Sequence, residues 1–525
     1  MRNLIVLTVV IFLAEFVIGQ QVVFVKKWDR RFGGTDRDGI GSFHQTNDGG
    51  YIIGGSSTSN NNGDKTQPTQ GGWDCWIVKT DSNGVKKWDK SFGGNGSDGV
   101  ASLQQTKDGG YILGGGSSSG VSGDKTQPTR GGYDYWIVKT DSLGNKQWDK
   151  RFGGTFDDIL YALQQTNDGG YILGGTSNSG ISGDKTQDNW DTTYFQRDGW
   201  IVKIDSLGNK QWDKRFGGTD YEDIRSLIQT DGGGYLLGCY SASDSNGDKT
   251  QPSLGFGDFW IVKIDSLGNK EWDKSYGGPN SDQLSTVLQT SDGGYLLGGD
   301  YFWIVKIDSV GNIQWEKSYD GDAELSAVTV TSDRGYLLSG SSGYLIQPPD
   351  KSEPNLGSQQ AWIVKTDSLG NKQWDKTIFT LGHDWCVSAI ETEDGCYVVG
   401  VNTEAGIGGY ISEPNRDGID STGDYWIAKF CFEPLGINET SNNSNVLVYP
   451  NPFTSNIAIS LQKENLNEAT FTISNMLGQV VFTKAENNLA SSYTKILDLS
   501  YLPNGVYLVE VIADGERVVK KVVKE

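Results

Sequence analysis

The chain has 525 residues and a formal net charge of -21 at pH 7. This acidity argues against a nucleic-acid partner, because binding to phosphate needs clusters of Lys and Arg. The 72 glycines and 17 tryptophans occupy fixed points of a sequence repeat, which predicts turns in a packed β protein rather than a disordered chain.

Residues 1–20 have the pattern of a signal peptide. Arg2 supplies a positive charge, residues 4–17 form an apolar segment too short to span a membrane, and Gly19 provides a small residue near the expected cleavage point. No later stretch approaches about 18 unbroken apolar residues, so we expect no transmembrane segment. The chain is therefore predicted to be exported.

A tryptophan-containing unit recurs seven times over residues 21–432. The recurring residues are Trp28, Trp88, Trp148, Trp212, Trp272, Trp315 and Trp374. In residues 101–152, two β-prone runs flank the turn 108–110 and two more flank the turn 141–145, which predicts four antiparallel strands, A to D. Four short strands repeated seven times predict an all-β fold, a seven-bladed β-propeller.

The first and last repeats are incomplete in a complementary way. The repeat region begins with a D strand at residues 26–32, and its last copy ends with a C strand at residues 425–430. We therefore expect the N-terminal strand to complete the seventh blade, which closes the ring and removes an exposed sheet edge.

The loops of the repeat differ between the two predicted faces. The A–B and C–D turns are short and uniform, whereas the B–C and D–A loops are long and variable. Blades one to four share Gly-Asp-Lys-Thr in the B–C loop, blade three adds an aromatic insertion at residues 190–195, and blades six and seven carry unrelated loops. Blade five joins Gly299 to Trp303 almost directly.

Variable loops on a rigid scaffold are the usual place for function. We therefore predict a ligand site in a groove over blade five, walled by blades three, four and six. The candidate ligand-binding residues are Trp190, Tyr194, Phe195 and Tyr301.

Two of the B–C loops place oxygen-bearing side chains at alternate positions. These residues are Asn60, Asn62, Asp64, Asp244, Asn246 and Asp248. They resemble the start of a calcium loop, but Lys65 and Lys249 stand where that loop needs glycine. The alternative is that the side chains stabilise their own turns. Calcium is the one cofactor that the sequence suggests.

A recurrent aspartate opens strand A of most repeats. The residues assigned to this position are Asp38, Asp98, Asp158, Asp223, Asp282 and Asp384. If strand A is innermost, these carboxylates could ring the channel mouth and collect a cation. The alternative is a structural role, in which each aspartate accepts backbone N–H groups of the preceding Phe-Gly-Gly loop.

The sequence gives little support for catalysis. His44 and His383 lie in different blades without a nucleophile motif, and no catalytic residue is predicted. Carboxylate pairs for glycoside chemistry stay open, and the least repetitive candidates are Glu222-Asp223 and Asp322 with Glu324.

The five cysteines occupy five different positions of the repeat, so they do not predict a disulfide framework. A bond between Cys386 and Cys396 is disfavoured, because their hairpin should pair Cys396 with a residue near Glu391. The disulfide state is left open.

The repeat stops after Phe432. Residues 433–445 form a polar linker, and the alternating pattern of residues 446–525 predicts a small β-sandwich. This tail resembles the type A sorting domain of the type IX secretion system of Bacteroidetes. The resemblance rests on motifs that contain Tyr449, Pro450, Asn451, Pro452, Gly478, Gly505, Tyr507, Lys520, Lys521 and Lys524.

The resemblance implies recognition of residues 446–525 by the type IX machinery. It also implies passage across both membranes, followed by release or attachment at the outer cell surface. The most favoured function is non-catalytic binding or adhesion, with a glycan or protein ligand on the long-loop face. The alternatives are a polysaccharide hydrolase or lyase with carboxylates at the channel mouth, and a structural component of the surface layer.

Overall fold

The computed structural model describes residues 22–191, 196–319, 323–343, 350–355, 358–418, 422–434, 446–463, 466–475, 480–514 and 516–525. The predicted signal peptide, residues 435–445 of the predicted linker, Tyr194, Phe195 and Gly478 lie outside these ranges. Within them, no helix is long and apolar enough to cross a membrane. The chain divides into a unit formed by Val25–Cys431 and a second unit that contains Phe432–Glu525.

Seven four-stranded antiparallel sheets account for the strands of the larger unit. Their strands in chain order are β1 (Val22–Phe32), β2 (Asp38–Gln45), β3 (Tyr51–Ser57), β4 (Asp74–Thr80), β5 (Lys86–Phe92), β6 (Ser102–Gln105), β7 (Tyr111–Ser117), β8 (Asp134–Thr140), β9 (Lys146–Phe152), β10 (Asp158–Gln165), β11 (Tyr171–Ser177), β12 (Asp198–Ile204), β13 (Lys210–Phe216), β14 (Glu222–Gln229), β15 (Tyr235–Ser241), β16 (Asp258–Ile264), β17 (Lys270–Tyr276), β18 (Leu284–Gln289), β19 (Tyr295–Gly299), β20 (Trp303–Ile307), β21 (Ile313–Lys317), β22 (Ala323–Val330), β23 (Tyr336–Ser342), β24 (Gln360–Thr366), β25 (Lys372–Ile378), β26 (Asp384–Glu391), β27 (Tyr397–Thr403) and β28 (Asp424–Pro434).

The sheets close into a ring. Blades one to six are consecutive sets of four strands from β2 to β25, and the seventh sheet has the order β1-β28-β27-β26. The first strand of each blade contacts the first strand of the next, and β26 contacts β2. Strand A is therefore innermost, and the prediction of a seven-bladed propeller whose N-terminal strand completes the last blade is confirmed.

A buried aspartate on strand D ties most blades together internally. In blade one, Nε1 of Trp76 on β4 donates to Oδ2 of Asp89 on β5 at 3.1 Å. We call this residue the blade aspartate, and its counterparts are Asp149, Asp213, Asp273, Asp375 and, in the seventh blade, Asp29 of β1. The indole N–H of a buried tryptophan needs an acceptor, and this carboxylate supplies it.

The blade aspartate also holds the B–C loop. Asp89 accepts the backbone N–H of Thr66 at 2.9 Å, and its other oxygen accepts from Nζ of Lys86 at 2.9 Å. Lys65 of the same loop is buried and donates to the carbonyl of Ser59 at 2.7 Å. Gly-Asp-Lys-Thr is therefore a scaffold motif, a role that the sequence analysis did not assign.

Blade six keeps a version of this loop. The backbone N–H of Ser352 donates to Asp375 at 2.8 Å, and Lys351 is buried with Nζ 5.6 Å from the centre of the Trp362 ring. The expectation that this loop is unrelated to the others is therefore wrong at Asp350-Lys351-Ser352. The motif was missed because threonine is replaced by serine and the preceding glycine is absent.

The recurring tryptophan of strand D packs between blades. Trp28 of the seventh blade lies 6.0 Å from Tyr51 of blade one, measured between ring centres, and the same pairing recurs around the ring. The C–D turn of blade one lies against the same indole. Its Gly84 has φ 73°, and a Cβ there would meet the Trp28 ring at 2.7 Å. Both the backbone conformation and the lack of space therefore require glycine at this position.

A disulfide joins Cys396 to Cys431, with 4.4 Å between their Cα atoms. The flanking residues Tyr397 and Phe430 are paired between β27 and β28, so the bond crosses strands B and C of the seventh blade. Cys431 was not predicted as the partner, because pairing was weighed only across the A–B hairpin, where Tyr397 pairs with Glu391.

The second unit contains two packed sheets, one of order β29-β30-β33 and one of order β32-β31-β34-β35. Their strands are β29 (Val446–Tyr449), β30 (Asn456–Gln462), β31 (Glu468–Asn475), β32 (Val480–Asn487), β33 (Ser492–Asp498), β34 (Gly505–Ala513) and β35 (Glu516–Lys524). Ile457, Phe471 and Val509 are fully buried between the sheets. The predicted β-sandwich is confirmed.

Replacing Asp29 by alanine should destabilise the whole propeller by about 3 kcal/mol. The change leaves the indole N–H of Trp426 and the backbone N–H of Ser412 without their acceptor, and buried unsatisfied donors are costly. Urea unfolding followed by tryptophan fluorescence measures the loss. Asp36→Ala, at an exposed position, is the control, and equal stability of the two variants would contradict the role of β1 as a closing strand.

Candidate functional site

A cavity of about 680 Å³ lies at the loop-face mouth of the central channel. It is lined by strand A residues of successive blades and by the short connection of blade five. The lining side chains that bear chemistry are Tyr161, Arg225, Ser285, Asp300, Tyr301 and Glu324. The cavity lies where the sequence analysis places a groove, and its use by a ligand stays a prediction.

The short B–C connection of blade five opens this side of the mouth. Asp300–Phe302 forms a single 3-10 turn between β19 and β20. Phe302 is buried and packs on Trp362 of blade six at 4.5 Å between ring centres. Tyr301 has φ 63° and Phe302 has φ 47°, an uncommon conformation for such residues. Tyr301, 37% exposed, is thereby left at the cavity wall.

A β-bulge in strand A supplies two of the cavity residues. In β10 the pairing skips Tyr161 between Leu160 and Ala162, and in β14 it skips Arg225 in the same way. Bulges re-aim side chains, and they are frequent next to functional sites. The corresponding residues in blades one and two are Gly41 and Ala101. The bulge therefore presents a different residue type to the channel in each of blades one to four.

Arg225 is held by an ionic network. Asp223 is buried and accepts two hydrogen bonds from Arg197, at 2.7 and 2.9 Å, and one from Arg225 at 2.9 Å. The guanidinium carbon of Arg225 lies 4.6 Å from the centre of the Tyr161 ring. Among the described residues, the other N–H groups of Arg225 make no hydrogen bond. They are available to a ligand oxygen in the cavity.

Asp300 has an unusual protonation equilibrium for an aspartate. Its pKa is raised to about 6, mainly by burial and also by the neighbouring carboxylates of Glu324 and Asp282, against the opposing effects of the Gln283 N–H and Arg225. The cavity therefore offers a guanidinium donor, two carboxyl groups and two phenols within one concave surface.

The predicted ligand residues do not form one cluster. Tyr301 lines the cavity, whereas Trp190, 46% exposed, does not. The indole N–H of Trp190 donates to Asp248 at 3.0 Å, and Arg215 lies 4.5 Å from its ring centre, so it bridges blades three and four. Of the carboxylate pair Asp322 and Glu324, Glu324 lines the cavity and Asp322 lies outside the described residues. Tyr161, Arg225 and Asp300 were not identified from the sequence.

A recognisable signal for these three residues exists in the sequence. Each of them occupies a repeat position at which the other blades carry different residue types. Tyr161 and Arg225 lie within strand A, and Asp300 lies just before strand C of blade five. Alignment of the seven strand A segments places Gly41, Ala101, Tyr161, Arg225, Ser285, Ser326 and Val387 in one column. That column and the column two positions before it each hold six residue types, more than any other column of the strand.

The candidate calcium ligands are engaged by backbone donors of the neighbouring D–A loop. Oδ1 of Asn62 accepts the N–H of Thr35, and Oδ1 of Asn246 accepts the N–H of Thr219, both at 2.8 Å. Asp64 accepts from Arg416 at 2.7 Å. In the described part of the chain, no three His, Cys, Asp or Glu side chains are grouped as a metal site would need. Calcium binding by these loops stays a prediction.

The carboxylates that open strand A hold the D–A loops. Asp38, Asp98 and Asp158 accept the N–H of the second glycine of Phe-Gly-Gly at 2.7, 2.8 and 2.7 Å, as the structural interpretation expects. In blade four this bond is made by Glu222, at 2.8 Å. The assignment of Asp223 to this position is therefore wrong by one residue. The shift leaves Asp223 at the next position, where it binds Arg197 and Arg225.

Each of these carboxylates lies next to the residue that opens strand C of the preceding blade. A Cβ built on Gly217 would lie 2.5 Å from Oδ1 of Asp198 and 2.9 Å from Oε2 of Glu222, so both carboxyl groups crowd one point. Burial raises the pKa values of such groups: to about 6 at Asp74, Asp134 and Asp198, and to about 7 at Glu222, Asp384 and Asp424.

The free energy of unfolding should fall as the pH rises from 5 to 7. Carboxyl groups with a raised pKa in the folded state keep protons that the unfolded chain releases near pH 4, so their contribution is present at low pH and is lost as the pH passes 6 to 7. Urea unfolding at pH 5, 6 and 7 measures the slope. Asp74→Asn, which copies the protonated form, should make the slope shallower, and stability that rises over this range would contradict the account.

The sorting motifs of the second unit meet around the last strand. Asn451 donates to the carbonyl of Lys521 at 2.9 Å and accepts the N–H of Val523 at 2.8 Å. Lys524 donates to the carbonyl of Leu502 at 2.6 Å, and the Tyr507 hydroxyl donates to Pro503 at 2.7 Å. Asn451 and Lys524 therefore fix β35 to its neighbours, and Tyr507 fixes the segment that leads into β34.

Residues 447–525 match the family described as the secretion system C-terminal sorting domain. The propeller is therefore exported by type IX secretion, across the outer membrane to the cell surface or the medium. The comparison with curated proteins gave no match.

Several solved structures are similar to the chain at low identity. A protein of unknown function from Bacteroides caccae is 12% identical, with TM-score 0.35 over 59% of this chain and 92% of that one. BamB from Moraxella catarrhalis is 11% identical, with TM-score 0.37 over 78% and 100%. PorZ, a surface component of the type IX secretion system of Porphyromonas gingivalis, is 11% identical, with TM-score 0.39 over 94% and 59%.

Proposed function

We propose that this exported propeller is a non-catalytic binding or adhesion protein that holds an extracellular glycan or protein ligand in the cavity at the channel mouth. The observation that carries the proposal is Arg225. Its guanidinium is fixed by Asp223 and Tyr161, and it faces a concave space that also contains Asp300 and Glu324. Convergent polar groups in a concave cavity are the usual mark of a binding site.

The chemistry of the cavity favours a ligand rich in hydroxyl groups. Carboxylates accept hydrogen bonds from hydroxyls, a guanidinium donates to their oxygens, and the Tyr161 and Tyr301 rings offer apolar faces. The rest of the ring supports this placement, because the repeated side chains are used to hold loops and blades. The cavity residues are those that the scaffold leaves variable.

Replacing Arg225 by alanine should weaken ligand binding at least tenfold, since a hydrogen bond to a charged group contributes about 1.5–3 kcal/mol. The ligand is first found by screening the purified full-length protein against an array of glycans and matrix proteins, with calcium and with chelator. Binding of the hit is then measured by calorimetry. Asp223 keeps both bonds to Arg197 in this variant, so the fold should persist.

Arg37→Ala removes an exposed arginine outside the cavity and is the matched control. Equal loss in both variants, or none in Arg225→Ala, would contradict the proposed site. Loss of binding in chelator alone would assign a role to the oxygen-rich loops. An array without any hit would favour the structural alternative, a surface-layer component without a discrete ligand.

A polysaccharide hydrolase or lyase is the second candidate, and one observation favours it. The pKa of Asp300, raised to about 6 by burial and by Glu324, suits a general acid beside a second carboxylate. In that case reducing-end release from a polysaccharide should fall as the pH rises through 6, and Asp300→Asn should abolish it. Activity that survives in Asp300→Asn, with Asp36→Asn as control, would exclude this mechanism.

A further inference from the structure

A second cavity, of about 540 Å³, lies on the same face over blades one to three. Its lining is mainly apolar and includes the aromatic side chains of Trp73 and Tyr133 together with Ile40, Val100 and Ile159. Tyr133 is 37% exposed and Trp73 is half-buried. Two partly exposed aromatic rings therefore stand beside a concave apolar surface.

The two aromatic residues occupy one position of the repeat, immediately before the residue that opens strand C. Their backbones are fixed by the next blade, because the carbonyls of Trp73 and Tyr133 accept the N–H groups of Asp98 and Asp158, both at 2.6 Å. The same position holds Trp73, Tyr133, Arg197, Gly257, Asp300, Gln359 and Gly423 around the ring. It is aromatic in blades one and two and charged in blades three and five.

The two cavities adjoin each other at the channel. Gly41 lines both of them, and Ala101 lines the first next to Val100 of the second. A Cβ on Gly41 would collide with the carbonyl oxygen of Val100, so no side chain fits at this point. Blades one and two thus carry small residues at the bulge, where blades three and four carry Tyr161 and Arg225. The cavity of Trp73 and Tyr133 is therefore continuous with the cavity of Arg225 and Asp300.

We propose that the cavity of Trp73 and Tyr133 is a second subsite of the same binding site, and that it takes one ring of a neutral oligosaccharide chain whose other end contacts Arg225 and Asp300. The proposal rests on the proposed function. A sugar ring has an apolar C–H face that packs on aromatic rings and a hydroxyl edge that bonds carboxylates and guanidinium groups. A chain of such rings matches an aromatic surface that continues into a polar cavity.

The length of the ligand tests this arrangement. Ladders of cello-, malto- and chito-oligosaccharides of two to eight units are titrated against the full-length protein. For at least one ladder, wild-type affinity should rise with each added unit until both cavities are filled. The double variant Trp73→Ala/Tyr133→Ala should bind the long members at least tenfold more weakly and the shortest member equally, so that its affinity no longer depends on length.

Two further variants separate the possible explanations. Phe256→Ala removes an aromatic side chain that is 81% exposed in another loop, and it should bind as the wild type does. Trp73→Leu keeps an apolar side chain but removes the flat ring, so loss of length dependence in this variant identifies stacking of the sugar on the indole. Thermal unfolding confirms that each variant is folded. Unchanged length dependence in the double variant would overturn the subsite, although loss of binding in Arg225→Ala would still support the proposed function. A hit that is only a protein, or no binding to any ladder, would overturn the oligosaccharide subsite as well.

Discussion

The hydrogen bond between a strand C indole and the blade aspartate of strand D is the interaction on which the propeller depends. One carboxylate accepts from the tryptophan, from the B–C loop backbone and from a lysine three residues before it. In the seventh blade the carboxylate is Asp29, so closure of the ring requires the first strand. Blade five lacks both the long B–C loop and the blade aspartate. The exposed Glu316 occupies the position of that aspartate, which agrees with a role of the aspartate in holding the loop.

The loss of that loop connects the scaffold to the candidate site. Without a B–C loop to hold, blade five has only the turn Asp300–Phe302 between its strands, and the channel mouth is open above it. A change in blade four adds the charge. Glu222 takes over the bond to the D–A loop, and Asp223 is then available to bind Arg197 and Arg225. Two departures from the repeat, in adjacent blades, therefore produce one charged cavity.

The fold was predictable from the sequence because the repeat reports the same strands seven times. The site was predictable only as a region. A period of two assigns side chains to faces of a strand, and a bulge breaks that period at Tyr161 and Arg225, so their direction cannot be read from one copy. The cross-strand bond of Cys396 with Cys431 was missed for a related reason, because it joins strands separated by a loop of variable length. Contact of Trp190 with a ligand stays a prediction, and the bond of its indole to Asp248 is a contact that a sequence pattern does not reveal.

Side chains at the channel mouth can vary with little effect on the stability of the fold, because backbone atoms make the structural contacts there. At the position of Trp73 and Tyr133, the backbone carbonyl accepts the bond from the next blade, so any side chain satisfies the scaffold equally. At the bulge, alanine, tyrosine and arginine are accommodated in blades two to four, whereas Gly41 of blade one leaves no room for a side chain. The buried positions have no such freedom, since the blade aspartate and the buried lysines act through their side chains. The residues that we propose for binding thus lie at positions where the backbone maintains the ring, and these positions line the two adjoining cavities.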